Sequence, residues 1–188
     1  MRIATMAKTI TAGVAFALLA SQGAAAQTRA AAKEQLRRGQ FLATYGGCHD
    51  CHTPKLMTPN GPVLDQARLL AGHPADTPLP PVPTGAIGPT QWGAVTTNDL
   101  TAWAGPWGIS FAANLTPDTA TGLGNWTVAQ FSKTMRTGKH LGAGRDLLPP
   151  MPWFNVAALR DQDMRALFGY LKSLKPITNR VPAPIPPK

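Results

Sequence analysis

Cys48-His49-Asp50-Cys51-His52 is the stretch on which the reading of this chain turns. Two thiols stand three residues apart and a histidine follows at once. Cys-x-x-Cys-His is the pattern of covalent haem attachment. The chemistry explains the spacing. The thiols add to the two vinyl groups on one edge of a porphyrin, and the adjacent imidazole becomes an axial ligand of the iron. Three other uses of the pair fit less well. A Cys48–Cys51 disulfide leaves His52 without a role. A zinc site needs two more ligands at matching spacing, and His49, His73 and His140 are scattered. A thioredoxin-like pair needs a βαβ context, and the chain has none. His49, in an x position of the motif, reads as a partly exposed filler. No second such motif occurs, so the expectation is one haem per chain.

The segment before the motif agrees with attachment outside the cytoplasm. Arg2 and Lys8 precede a short apolar run, Ile10 to Ala20, and Ala24-Ala25-Ala26 supplies small residues for cleavage. That is the three-part pattern of a secretory leader. The run is shorter than the roughly 20 residues a membrane span needs. We expect a signal peptide over residues 1–26, a mature domain over 27–188, and no stable membrane span after cleavage. Losing Arg2 and Lys8 takes the formal charge from +9 to +7. Charged residues make up 14% of the chain, against about 25% in an average domain. Charge-driven disorder is therefore excluded. The basic residues are spread out rather than run together, and no nucleic-acid motif is present.

The candidates for a second axial ligand are Met57, Met135, Met151, Met164, His73 and His140. Met57 is too close to His52 in sequence to reach the opposite face of a ring easily. Met135 and Met164 fall at core spacing on expected helices. Met151 sits in Leu147-Leu148-Pro149-Pro150-Met151-Pro152-Trp153. Prolines on both sides fix their own φ, and Pro152 drives Met151 toward an extended conformation. Such a loop can hold a thioether rigidly, so Met151 is the preferred ligand. His73, in Gly72-His73-Pro74, stays as its rival and would give a bis-histidine site.

Three helices are expected. The first covers about 30–45, with Leu36 and Ala43 on one side. Gly39 inside it costs about 1 kcal/mol against Ala, which a close helix–helix contact would justify. Gly46-Gly47 ends it. The second covers about 127–137, capped by Asn125 or Thr127, with Val128, Phe131 and Met135 in register. The third covers about 161–174, with Met164, Leu167, Phe168, Leu171 and Leu174 as one stripe. Between Thr53 and Ser110 the chain is rich in Pro and Gly and weakly periodic. It reads as a long loop, with most of the rings of Trp92, Trp103 and Trp107 packing beneath it or against the haem. The tail from about 177 is proline-rich and reads as extended.

These residues, in this order, resemble class I cytochrome c. Four stretches look more narrowly like the cytochrome c domains that serve periplasmic alcohol, aldehyde and sugar dehydrogenases. They are Asn114-Leu115-Thr116-Pro117-Asp118, Thr121-Gly122-Leu123-Gly124-Asn125-Trp126, Gly144-Arg145 and Pro149-Pro150-Met151-Pro152-Trp153. The likeness covers roughly 33–175, and residues 55–110 match it poorly. It implies an all-α fold, a class I cytochrome c fold with a long Pro/Gly-rich loop insertion after the haem motif. It implies Cys48 and Cys51 as thioethers of one covalent haem c, and His52 and Met151 as iron ligands. It implies a proline carbonyl, best matched by Gly61-Pro62, as acceptor of the proximal histidine N–H. It also makes Trp126 and Arg145 candidates for the propionates, with plain core packing the alternative for Trp126.

The function expected from all of this is one-electron transfer in the periplasm, without catalysis on a substrate. The partners expected are redox proteins, with a periplasmic dehydrogenase and a terminal oxidase as candidates and no nucleic acid. The alternative is a haem enzyme or gas-binding sensor with a labile sixth ligand. The long middle segment favours that alternative, and the proline-framed Met151 opposes it.

Overall fold

Apolar residues at helical spacing build the body of the molecule. The computed structural model describes residues 4–187, with side chains from residue 25 onward. The expected leader, 1–26, therefore falls almost wholly outside the described side chains. Helix α1 spans Ala4–Tyr45. Gly46 and Gly47 stop it, Gly47 in the left-handed region at φ 67°, which suits a residue without Cβ. One further turn, α2, covers Cys48–His52. Helix α3, Val128–Thr137, opens on a capping box in which Thr127 and Gln130 satisfy each other's backbone, and closes on Gly138 at φ 67°. A short α4, Trp153–Ala157, leads into α5, Asp161–Ser173. Among the described residues no helix is long and apolar enough to cross a membrane.

The stripes predicted for α3 and α5 face one core. Phe131 and Met135 meet Met164, Leu167, Phe168 and Leu171, together with Leu42 and Ala43 of α1. The Phe131 and Phe168 rings lie 5.1 Å apart. Burying side chains such as Met164 and Leu171, 0% and 1% exposed, contributes about 2 kcal/mol each. Gly39 sits where α1 meets α5. A Cβ there would stand 2.6 Å from the Tyr170 Cβ and 2.7 Å from the Ala166 carbonyl carbon. The expected close contact is thus the reason for this glycine. Leu36, expected on the buried side, is 39% exposed; the α1 seam runs through Gly39, Leu42 and Ala43 instead.

The expectation of an all-α fold with a loop insertion is overturned. Among the described residues five strands in two antiparallel sheets stand beside the helices, so the fold is mixed α and β rather than all-α. Strands β1, Lys55–Thr58, and β2, Gly61–Leu64, form a hairpin around Pro59-Asn60, pairing Lys55 with Leu64 and Thr58 with Gly61. Strands β3, Val95–Thr96, β4, Ala102–Gly105, and β5, Gly108–Phe111, form a second sheet. The tail completes it, since Ile185 exchanges both backbone hydrogen bonds with Ile109, at 2.8 and 2.9 Å. Helical packing did not claim this region because its ordering force is backbone pairing rather than an apolar stripe. Trp103 and Trp107 pack within the sheet, their indole N–H groups donating to the Leu100 carbonyl and the Ser110 hydroxyl. Trp92 is the exception among the three and is 73% exposed.

Candidate functional site

The left-handed Gly47 starts α2, and the Asp50 amide donates back to the Gly47 carbonyl at 2.9 Å. Within one helical turn, positions three and four apart share a face. Cys48, Cys51 and His52 are therefore grouped by the backbone itself. Lys55 closes the far end of the turn by donating through Nζ to the carbonyls of His49, at 3.0 Å, and Asp50. Both cysteines are free and half-buried. Burial pushes the Cys48 thiol up to about 11 and moves the Cys51 thiol the same way. Cys48 also packs against the main core. His49 is half-buried and hydrogen-bonded through Nδ1 to the Thr53 hydroxyl at 2.8 Å, in keeping with a filler.

His52 is buried, and its Nδ1 lies 2.7 Å from the Ala113 carbonyl oxygen. A carbonyl cannot donate, so Nδ1 carries the proton and Nε2 keeps its lone pair. Burial pushes the imidazole below its ordinary value, and the Ala113 carbonyl opposes this only in part. The ring is therefore neutral, as a metal ligand must be. The acceptor differs from the expected Gly61-Pro62: Pro62 lies exposed on β2, whereas Ala113 follows β5. The carbonyl is held in place by the segment Leu70–His73. Leu70 donates to Thr53 Oγ1 at 2.9 Å and Gly72 to the His52 carbonyl at 2.8 Å. On the other side His73 donates to the Ala112 carbonyl, and Leu115 donates to the Leu70 carbonyl, both at 2.9 Å. Gly72, at φ 78°, has no room for a side chain, since a Cβ would fall 2.7 Å from the Ala113 oxygen.

Met151 is half-buried and borders the same apolar cluster as Cys48, beside Leu147, Trp126 and Leu115. Its loop is fastened to the second sheet: the Ser110 hydroxyl donates to the Pro149 carbonyl at 2.5 Å. The other candidates are placed elsewhere. Met135 and Met164 are buried in the core, and Met57 is 62% exposed on β1. His73 is buried, with its Nδ1 held by a hydrogen bond and its Nε2 left with a lone pair. Asp99 accepts from the Thr101 hydroxyl at 2.7 Å, so Thr101 in turn accepts from His73 Nδ1, also at 2.7 Å. His140 packs edge-on against Trp126 at 5.2 Å. Trp126 packs against the core, and Arg145 is exposed and donates to the Asp146 carbonyl at 3.2 Å.

Two free thiols and a neutral imidazole on one turn, with a thioether at the edge of the same apolar cluster, are the donor set of a haem c. For the zinc alternative, no three His, Cys, Asp or Glu side chains among the described residues are placed to hold one metal ion. Sequence reasoning missed Ala113 and Ser110. Ala113 acts through its backbone, which leaves no mark in the sequence. Ser110 lies in a strand that reads as loop.

No family model matches the chain. Over 78 residues it is 40% identical to a subunit of the nicotinate dehydrogenase of Pseudomonas putida, a match covering 42% of this chain and 6% of that protein. Over 146 residues it is 30% identical to the fructose dehydrogenase cytochrome subunit of Gluconobacter japonicus, covering 77% of this chain and 22% of that protein. Over 171 residues it is 25% identical to the cytochrome c subunit of alcohol dehydrogenase (quinone) of Gluconobacter oxydans, covering 90% and 28%. The chain spans between 6% and 28% of the length of these relatives. Its homologues include cytochrome c subunits of sugar and alcohol dehydrogenases, the proteins that its sequence resembles.

Proposed function

We propose that this chain is an exported c-type cytochrome that carries one electron at a time for a dehydrogenase in the periplasm. The observation that carries the reading is His52: buried, neutral, donating its Nδ1–H to the Ala113 carbonyl, and one residue beyond a pair of free thiols. When bound, a single haem c supplies a ferric–ferrous couple. Cys48 and Cys51 would hold its edge as thioethers. His52 would hold the iron through Nε2, and the bond from Nδ1 to Ala113 fixes the ring's orientation and raises its basicity. Met151 would supply a thioether, which favours the ferrous state. Two iron ligands supplied by the chain would leave no place for a substrate, which supports a carrier rather than an enzyme. The leader over 1–26 supports export. The relatives' names support a dehydrogenase as electron donor.

Replacing Met151 tests the ligand set. Met151→Ala keeps its haem, loses the weak red absorption band of methionine-bound ferric iron, and binds carbon monoxide readily once reduced. An unchanged spectrum takes Met151 out of the coordination sphere and returns His73 to it.

A further inference from the structure

The loop that presents Met151 cannot hold itself. Of the four residues Pro149 to Pro152, three are prolines, so Met151 has the only backbone N–H. That N–H turns inward, to the Leu148 carbonyl at 3.3 Å. The segment can therefore be fastened from outside mainly by donors aimed at its carbonyls. Trp153 N–H takes the Met151 carbonyl at 2.9 Å, but this bond too is local. The link to the rest of the protein is Ser110, whose hydroxyl donates to the Pro149 carbonyl at 2.5 Å. Ser110 is 7% exposed. Its oxygen also accepts from the Trp107 indole N–H at 3.2 Å; of the two carbonyls within its reach, Trp103 lies at 3.4 Å, so the single hydroxyl proton goes to the nearer Pro149. Three residues farther on, Ala113 holds His52. One stretch of chain, β5 and its exit, thus reaches both sides of the site.

We propose that Ser110 is a positioning residue for Met151, and that β5 sets the separation of the two axial ligands. The inference rests on Met151 being a ligand. With the Ser110 bond intact, the thioether is held at the iron and competing ligands are kept out. Without it, the proline loop swings away more often, and an exogenous ligand meets less competition.

The test is imidazole titration of the ferric holoprotein, read by loss of the red methionine band. Ser110→Ala should bind imidazole about tenfold more tightly, equivalent to about 1.4 kcal/mol, a size expected of one lost hydrogen bond. Ser110→Thr, which keeps the hydroxyl, should restore the original affinity. Thr127→Ala, which removes the α3 cap far along the chain, should leave it unchanged, although it also lowers stability. If Ser110→Ala does not accumulate, Trp107→Phe carries the same measurement with a smaller gain in affinity. An affinity within twofold of the unmodified protein overturns the inference, as does an equal gain in Thr127→Ala. Absence of the methionine band in the unmodified protein would instead overturn the reading of Met151 itself.

Discussion

The seam between α1 and α5 is held by volume, whereas the stretch from Thr53 to Phe111 is held by hydrogen bonds. On the seam Gly39, Ala43 and Ala166 bring two backbones together over the Leu42 and Leu171 side chains. In the second region the strands are two to four residues long, and only part of each is buried. Besides Leu70 and Ala71, both 0% exposed, its fixed points are polar. Thr53, Thr101 and His73 are at most 1% exposed, and each is satisfied by a named partner. The tail does the same work at longer range. Asn179 donates to the carbonyls of Ala71 and His73, at 2.7 and 2.8 Å, and accepts from the Ala75 amide at 3.0 Å. The first region should resist any added atom, and the second any lost partner.

Gly39→Ala puts the comparison at greatest risk. Helix propensity alone would make the change stabilising by about 1 kcal/mol. Overpacking against Ala166 and Tyr170 should instead make it destabilising by about 3 kcal/mol, read as a lower midpoint in urea. A neutral result would mean that the seam is loose. In the second region, Thr101→Val conserves volume but strips partners from His73 and Asp99. It should cost about 2 kcal/mol, and a value near zero would show that polar satisfaction is not what orders this region. Thr127→Ala removes the capping box of α3 and should cost about 1 kcal/mol. Gly93→Ala adds a methyl group where nothing lies within 4 Å, and should fall within about 0.5 kcal/mol of no effect.

Acid sharpens the comparison further, because the seam has one polar lock. The Arg38 guanidinium donates to Asp163 at 2.8 Å, and Arg160 adds a second contact at 3.3 Å. The Arg38 hydrogen bond holds the Asp163 carboxyl below its ordinary value. A carboxyl depressed by folding stabilises the fold above its unfolded pKa, near 3.9. That contribution is lost as the pH falls from there through the folded value. Urea midpoints measured from pH 6 down to pH 3 should therefore drop less steeply in Asp163→Asn than in the unmodified protein. Parallel curves would remove Asp163 from the acid response.

Legibility in the sequence divides along the same line. Phe131, Met135, Met164, Leu167, Phe168 and Leu171 announce their buried faces by spacing, and Gly47 and Gly138 announce the helix ends. The haem motif announces three members of the site. The sheets are not legible, because a strand with only its ends half-buried, such as Lys55–Thr58, shows no alternation. The Ala113 carbonyl is not legible either, since any residue has one. Ser110 could have been suspected from the loop it serves. A methionine framed by prolines sits in a loop with few N–H donors, and a donor outside the loop must fasten it.

Covalent attachment through Cys48 and Cys51 is the claim on which the functional account stands. Acid–acetone extraction of the purified protein tests it most directly. The account predicts that the colour stays with the polypeptide, whose mass exceeds that of the polypeptide alone by one haem, and that Cys51→Ser loses most of it. Colour that passes wholly into the acetone, leaving a chain of unmodified mass, would contradict it.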